Sequence, residues 1–376
     1  MRKLVVITAI LLLLILSGCS SPAGNNNQVN NVVPDTPSRQ EILYSAKEIT
    51  ITEKIDTSAS ATAFSVPLGE GLEIGSYTCV DDRLYFAAVK VIDMAEMYPT
   101  EGLYCYDTTA AKLTKIRSFD GNVYINELFA DGDRLFYVEY LPEPRKIVMT
   151  DLLSGHEETI AESNVEGGSF VLYYNSGILV WYSAEGSELS LNYYDAASGD
   201  KGVIADHLTA YSAYERPYIT DGLVPYVKDG DNCRIITAYG LREKKDIYSF
   251  KISRDITACG IKTGKDKVFF RDGYVHDSRK YLIDVSTGEF TSFALKDGSI
   301  SVNTYGEFLS GDHIIAMSAS SKSAVSIDLK DMSYSITGLQ AASSDQLGEF
   351  PVYDSKSRLI TLFGTLNTFY IVDLMK

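Results

Sequence analysis

The sequence predicts an all-β protein, a seven-bladed β-propeller of four-stranded blades, because two landmarks keep one period along the chain. The first is an aspartate that ends a short β-type run: Asp107 in LYCYDTT, Asp151 in IVMTDLLSG, Asp195 in LNYYDAASG, Asp284 in YLIDVSTG, Asp328 in VSIDLKD and Asp373 in YIVDLMK. Their intervals are 44, 44, 89, 44 and 45 residues, and Gly240 in IITAYGLRE stands one period after Asp195 inside the double interval. The second landmark is a strand opened by a turn, marked by Leu84, Leu135, Leu179, Leu223, Val268, Ile314 and Leu359. These lie 44 to 46 residues apart, except the first pair at 51.

Within each period about four short runs alternate with turn residues, and helical periodicity is nearly absent. Four strands per 40 to 50 residues is the unit of a propeller blade, whose faces are covered only when neighbours pack radially. The aspartate follows the third strand, where an Asx side chain bonds the backbone of the turn D-x-x-[ST]-G. Gly240 is expected to meet the same need through its backbone freedom. The chain runs three residues beyond Asp373, so the seventh blade needs a fourth strand from elsewhere. EITITEK and ATAFSVPL, ahead of Tyr77, are the candidates, and one of them is expected to complete that blade and close the ring, which hides the sheet edges.

The first residues have another character. Met1, Arg2 and Lys3 form a short positive region, and Leu4 to Leu16 is an apolar run too short to span a bilayer as a helix. Leu16-Ser17-Gly18-Cys19 follows directly and resembles the lipobox of bacterial lipoproteins. That resemblance implies that 1–18 is a lipoprotein signal peptide, and that Cys19 becomes the mature N-terminus with a thioether to diacylglycerol. The chain would then be anchored on the outer face of a bacterial membrane through lipid. Residues 19–40, rich in Asn, Ser and Pro, read as the lipidated cysteine and a flexible tether, with the propeller over 41–376.

Hydrophobic residues at 45% and charged residues at 22% fit a packed core. A net charge of −16 repels phosphate backbones and argues against nucleic acid as a partner. After Cys19 four cysteines remain. Cys79 and Cys105 fall on the first and third strands of one blade, too far apart for a disulfide, and Cys233 and Cys259 fall in different blades, so buried free thiols are expected.

The D-x-x-[ST]-G turns and tyrosine-rich strands over roughly 60–376 resemble the TolB-like and YWTD-like propellers of bacterial envelope proteins. The chain departs from the named signatures: YWTD survives only as CYDT and YYDA, no WD ending occurs, and Trp181 is the one tryptophan. TolB itself has six blades and a further domain, so its partners do not carry over.

The motif search finds no GxSxG elbow, HExxH, phosphate loop or dinucleotide fingerprint. With four histidines and no paired spacing, neither a metal nor a cofactor is implied. The DGD at Asp131 to Asp133 and the KDGDN near Asp229 lack the glutamate of a calcium loop and read as turns. What varies between repeats is surface. The first blade carries an insertion, Asp93 to Glu101, with Met94, Met97 and Tyr98, on the face that also receives AYSAYERPYITD (Tyr211, Tyr214, Arg216) and RDGYVHDSRK (Tyr274, His276). Aromatic and apolar groups on loops of a rigid scaffold have the composition of a recognition site. The expected function is binding of an envelope protein, peptide or glycan. The alternative is an exported polysaccharide hydrolase or lyase acting through acidic residues at the propeller funnel.

Overall fold

The computed structural model describes residues 39–373 apart from 55–60, 92–97, 164–169, 186–187, 209–215, 274–278, 296–307, 311, 319–322, 339–351, 354–357 and 364–366. Among the described residues the chain is all β, with no helix. Four short strands come first: β1 (Arg39–Leu43), β2 (Lys47–Glu48), β3 (Thr52–Lys54) and β4 (Ala61–Ser65). The first sheet is β5 (Leu72–Val80), β6 (Arg83–Lys90), β7 (Thr100–Asp107) and β8 (Lys112–Ser118). The second is β9 (Tyr124–Asp131), β10 (Arg134–Leu141), β11 (Arg145–Asp151) and β12 (Glu157–Ser163). The third is β13 (Val171–Asn175), β14 (Ile178–Glu185), β15 (Glu188–Asp195) and β16 (Lys201–Ala205).

The fourth sheet contains β17 (Leu223–Asp229), β18 (Cys233–Gly240) and β19 (Lys245–Ser253), and residues 216–220 run ahead of it with a bridge from Thr220 to Leu223. The fifth contains β20 (Ala258–Thr263), β21 (Lys267–Asp272), β22 (Lys280–Asp284) and β23 (Phe290–Phe293). The sixth contains β24 (Phe308–Ser310), β25 (His313–Ser318), β26 (Ser323–Asp328) and β27 (Ser333–Gly338). The last contains β28 (Val352–Tyr353), β29 (Arg358–Phe363) and β30 (Thr368–Asp373). Within every sheet these strands pair antiparallel and in chain order.

The N-terminal strands spread over four sheets. β1 lies parallel to β19, β2 parallel to β23 and β3 parallel to β27, each on the outer edge. β4 then pairs antiparallel with β30, from Ser65 opposite Thr368 to Ala61 opposite Val372. Of the two candidate segments, ATAFS is therefore the one beside β30, while EITITEK supplies edge strands to the fifth and sixth sheets. β1 begins at Arg39, two residues inside the stretch expected to be tether.

Buried apolar side chains fill the space between consecutive sheets. Phe136 and Val138 of the second sheet pack on Leu172 and Trp181 of the third, and Phe269 of the fifth packs with Ile314 and Val325 of the sixth. Phe369 of the last sheet packs with Leu84 and Phe86 of the first. These alternating positions explain the two-residue periodicity of the strands.

The periodic aspartate makes the turn after the third strand. Asp107 Oδ1 accepts from the backbone N–H of Thr109 (3.0 Å) and Ala110 (2.8 Å), Asp151 from Leu153 (3.0 Å) and Ser154 (2.7 Å), Asp195 from Ala197 (2.8 Å), Asp284 from Thr287 (2.7 Å), and Asp328 from Lys330 (2.9 Å) and Asp331 (3.0 Å). Four residues after each aspartate the backbone is left-handed, at Gly155 (φ 71°), Gly199 (φ 72°) and Gly288 (φ 67°), but also at Ala111 (φ 50°) and Met332 (φ 46°). Gly240 departs from expectation. Its own backbone is not left-handed, that conformation falling on Lys244 (φ 50°), while a Cβ at 240 would lie 2.5 Å from Glu243 Oε2 and 2.8 Å from Ile247, side chains that would have to shift to admit it. The packing of neighbouring side chains, not φ, distinguishes this position.

Cys79, Cys105, Cys233 and Cys259 are free thiols. Three are buried. Cys105 is only half-buried, because the first and second sheets part beside it.

Candidate functional site

The first strands of the second, third and fifth sheets, with the segment leading into the fourth, bring a charged and aromatic cluster together. Glu127 and Phe129 stand on β9, Tyr173 on β13, Arg216 and Tyr218 in the segment leading to β17, and Lys262 on β20. Arg216 Nη2 donates to Glu127 Oε2 at 3.1 Å and Oε1 at 3.4 Å. This ion pair joins the second sheet to the fourth, skipping the third, so the first strands converge there on common ground. The Arg216 guanidinium lies 5.7 Å from the Phe129 ring centre. Tyr173 meets Phe129 edge-on at 6.1 Å and Tyr218 at 4.9 Å, and Lys262 Nζ sits 4.4 Å above the Tyr218 ring. The lysine is buried and donates to the Gly260 carbonyl at 3.0 Å.

Packing next to water-excluding rings sets the electrostatics. Burial raises the Glu127 carboxyl above the ordinary glutamate range, against the pull of the Arg216 charge. Burial works against Arg216 too, yet Glu127, Tyr218 and Tyr173 more than offset it and raise its pKa. The Tyr173 phenol is pushed up to about 12 by burial. Side-chain exposures of 15% for Glu127 and 27% for Arg216 show that both still reach solvent. An ion pair so placed adds little net stability, since desolvation cancels much of its attraction. The Arg216 guanidinium, which reaches solvent, can nonetheless meet an acidic or aromatic group by cation–π and charge-assisted contacts, while the buried Lys262 backs the Tyr218 ring.

Of the residues selected from sequence, Arg216 belongs to this cluster. Tyr98 is exposed (39%) on the loop after β6, two residues before Thr100, whose N–H donates to the Val123 carbonyl at 2.7 Å. That bond ties the start of β7 to the connection between the first and second sheets. No described contact joins Tyr98 to Arg216. Met94, Met97, Tyr211, Tyr214, Tyr274 and His276 lie outside the described residues, as does Cys19. Glu127, Tyr173 and Lys262 were missed. A signal for them exists: with Arg216 they stand six to eight residues ahead of the strand-opening Leu135, Leu179, Leu223 and Val268, so the repeat itself aligns them. Among the described residues no group of three or more His, Cys, Asp and Glu is placed to hold a metal ion. In the DGD turn, Asp131 accepts a hydrogen bond from the Tyr174 hydroxyl.

No family model matches the chain, and no curated protein matches it in sequence. Solved structures do match in fold. A chain of the mitotic checkpoint complex is 11% identical with a TM-score of 0.53, covering 96% of this chain and 98% of that one. An oligogalacturonate lyase in complex with manganese is 14% identical with a TM-score of 0.51, over 87% and 98%. An oligogalacturonate lyase from Vibrio parahaemolyticus is 12% identical with a TM-score of 0.51, over 84% and 97%. At these identities the likeness concerns fold alone, and the architecture is that of a repeat-built β-propeller.

Proposed function

We propose that this chain is a lipid-anchored bacterial envelope protein whose seven-bladed propeller binds an envelope protein, peptide or glycan. In this reading Cys19 carries the lipid, the protein stands on the extracytoplasmic face of the membrane, and β4 closes the ring by completing the seventh blade. The observation that carries the binding role is the cluster of Arg216, Lys262, Tyr173 and Tyr218 where the first strands converge. A few charged groups set among rings is the usual composition of a ligand-binding surface. The inserted loop with Met94, Met97 and Tyr98, and the loops with Tyr211, Tyr214, Tyr274 and His276, would extend the same face.

The test immobilises the protein and offers solubilised envelope from its own organism, reading out proteins and glycans. A double variant, Glu127→Gln with Arg216→Gln, removes both charges and leaves none buried alone. Saturable retention that this variant loses supports the reading, and retention that it keeps refutes the cluster's role. Lipidation has its own test: Cys19→Ser moves the protein from membrane to soluble fractions, and an unchanged distribution removes the anchor.

Glu127, with its raised carboxyl, also favours a second reading, a polysaccharide hydrolase or lyase at the funnel. Glycoside hydrolysis employs two carboxyl groups across the scissile bond. The described cluster supplies one. Release of shortened polysaccharide in the same experiment would make the enzyme the better account.

A further inference from the structure

A cleft of about 570 Å³ opens between the first and second sheets, away from the cluster above, and continues past Arg83, Tyr85 and Asp107 into a smaller recess ending at Gly132. Its walls follow from register. Lys112 faces Asp107 and Thr114 faces Cys105 across the β7–β8 ladder, so alternation turns Cys105, Lys112 and Thr114 to one side, toward Thr150 and Asp151 of the second sheet. Tyr85 closes one end with its hydroxyl on the Gly132 carbonyl (3.4 Å). Arg117 closes the other, donating to the Tyr137 hydroxyl and pairing with Glu157 at 3.0 Å.

Charge in the cleft runs against the rest of the molecule. The chain has 34 basic and 50 acidic residues, but the cleft is lined by Arg83, Lys112, Lys115 and Arg117 against Asp107, Asp151 and Glu157. Lys115 is taken up by Glu101, and Arg117 by Glu157. Asp107 and Asp151 each spend Oδ1 on two backbone N–H groups of their own turns, which spreads their charge into the backbone. Arg83 and Lys112 are exposed and stand on either side of Asp107 across the ladders; Arg83 also meets the Tyr85 hydroxyl, yet among the described residues neither cation forms a salt bridge within 4.0 Å. We infer that the cleft is a second ligand site, in which Arg83 and Lys112 hold a carboxylate or phosphate group and the Thr114 and Thr150 hydroxyls meet the body that carries it. The inference stands apart from the binding role proposed above.

The experiment uses the full-length protein in detergent, at constant ionic strength in chloride. Calorimetric titrations with inorganic phosphate, D-glucuronate and D-glucose separate a phosphate from a sugar carboxylate and from a neutral sugar. Alkylation of Cys105, mapped by mass spectrometry of its peptide, reports whether the cleft is the place. At least one anion should bind saturably and slow Cys105 alkylation fivefold or more, glucose should do neither, and Arg83→Gln with Lys112→Gln should abolish both effects. Both replaced side chains are exposed, so the variant keeps its melting temperature. Absence of binding by either anion overturns the inference, as does binding that survives the double substitution or leaves Cys105 alkylation unchanged.

Discussion

The junction between the first and second sheets and the junction between the second and third are built from the same repeat and end differently. At the second junction Phe136, fully buried, stacks on Tyr174 at 4.7 Å, with Met149, Leu172 and Trp181 filling the space. Arg134, at the start of β10, donates to the carbonyl of Ala196, the residue after the turn aspartate of the next sheet. Lys267 makes the same strap from the fifth sheet to Leu329 of the sixth, at 2.8 Å. At the first junction Arg83 occupies the position of Arg134, and Leu152 that of Ala196, yet among the described residues they make no such bond. Tyr85, Leu103, Leu135 and Tyr137 pack the inner part of that junction, but toward the outer strands Cys105 and Thr114 stand beside a cleft. A repeat therefore keeps its frame while its interfaces specialise, and the interface that is filled only in part is the place to look for a ligand.

The largest expected effect that sharpens this contrast is at the filled junction. Phe136→Ala should cost about 3–5 kcal/mol in denaturant unfolding, whereas Cys105→Ala, at the open one, should cost under about 1 kcal/mol. Equal losses would mean that the open junction is as tightly packed as the filled one. Next comes the strap: Arg134→Met should lose about 1–2 kcal/mol, and Arg83→Met should stay within about 0.5 kcal/mol of the parent. A substantial loss at Arg83 would show that it too fastens two sheets.

A smaller effect separates the turns of the two sheets. Gly155→Ala places a side chain at φ 71° and should destabilise by about 1 kcal/mol, while Ala111→Gly relieves the same conformation in the first sheet and should stabilise by a few tenths. Chemical denaturation of both variants decides the matter. Opposite signs support the shared turn, and equal signs break it.

The smallest is a dependence on pH. The Ser154 N–H, then its hydroxyl, hold the Asp151 carboxyl below the ordinary aspartate range, as the Ala197 N–H does for Asp195 and the Ser286 hydroxyl for Asp284. A depressed folded pKa means that the unfolded chain binds the proton more readily. The contribution is complete above the unfolded value of about 4 and is lost as pH falls through the lower folded one. Asp151→Asn should flatten the fall in melting temperature below about pH 4, and an unchanged slope would remove this turn from the account.

Much of the frame was legible in the sequence because a propeller repeats its physics. The aspartate at a 44-residue interval marks a turn that needs a carboxylate, and ATAFS shows the alternation of a strand with one covered face. EITITEK was legible as β-type, but β1 was not, nor was the division of EITITEK between β2 and β3 on two outer edges, since Lys47–Glu48 and Thr52–Lys54 are short and exposed. Arg216 was selected for its aromatic neighbours in sequence, but Glu127 in YINELFAD looks like any solvated charge on a strand. Only the third dimension sets it beside an arginine 89 residues away. The open cleft was invisible for a related reason: it is defined by what fails to meet across two sheets, and a sequence records side chains rather than the gaps between them.

The path of β1, β2 and β3 along three outer edges has a mechanical side. Tension entering from the N-terminal end reaches β1 on the fourth sheet first, then β2 and β3, and only afterwards β4 beside β30. These contacts act as rungs in series, each able to peel and absorb load before the strand beside β30 is disturbed. A protein tugged by its leading end would thus lengthen by several residues at a time while its functional surfaces kept their shape.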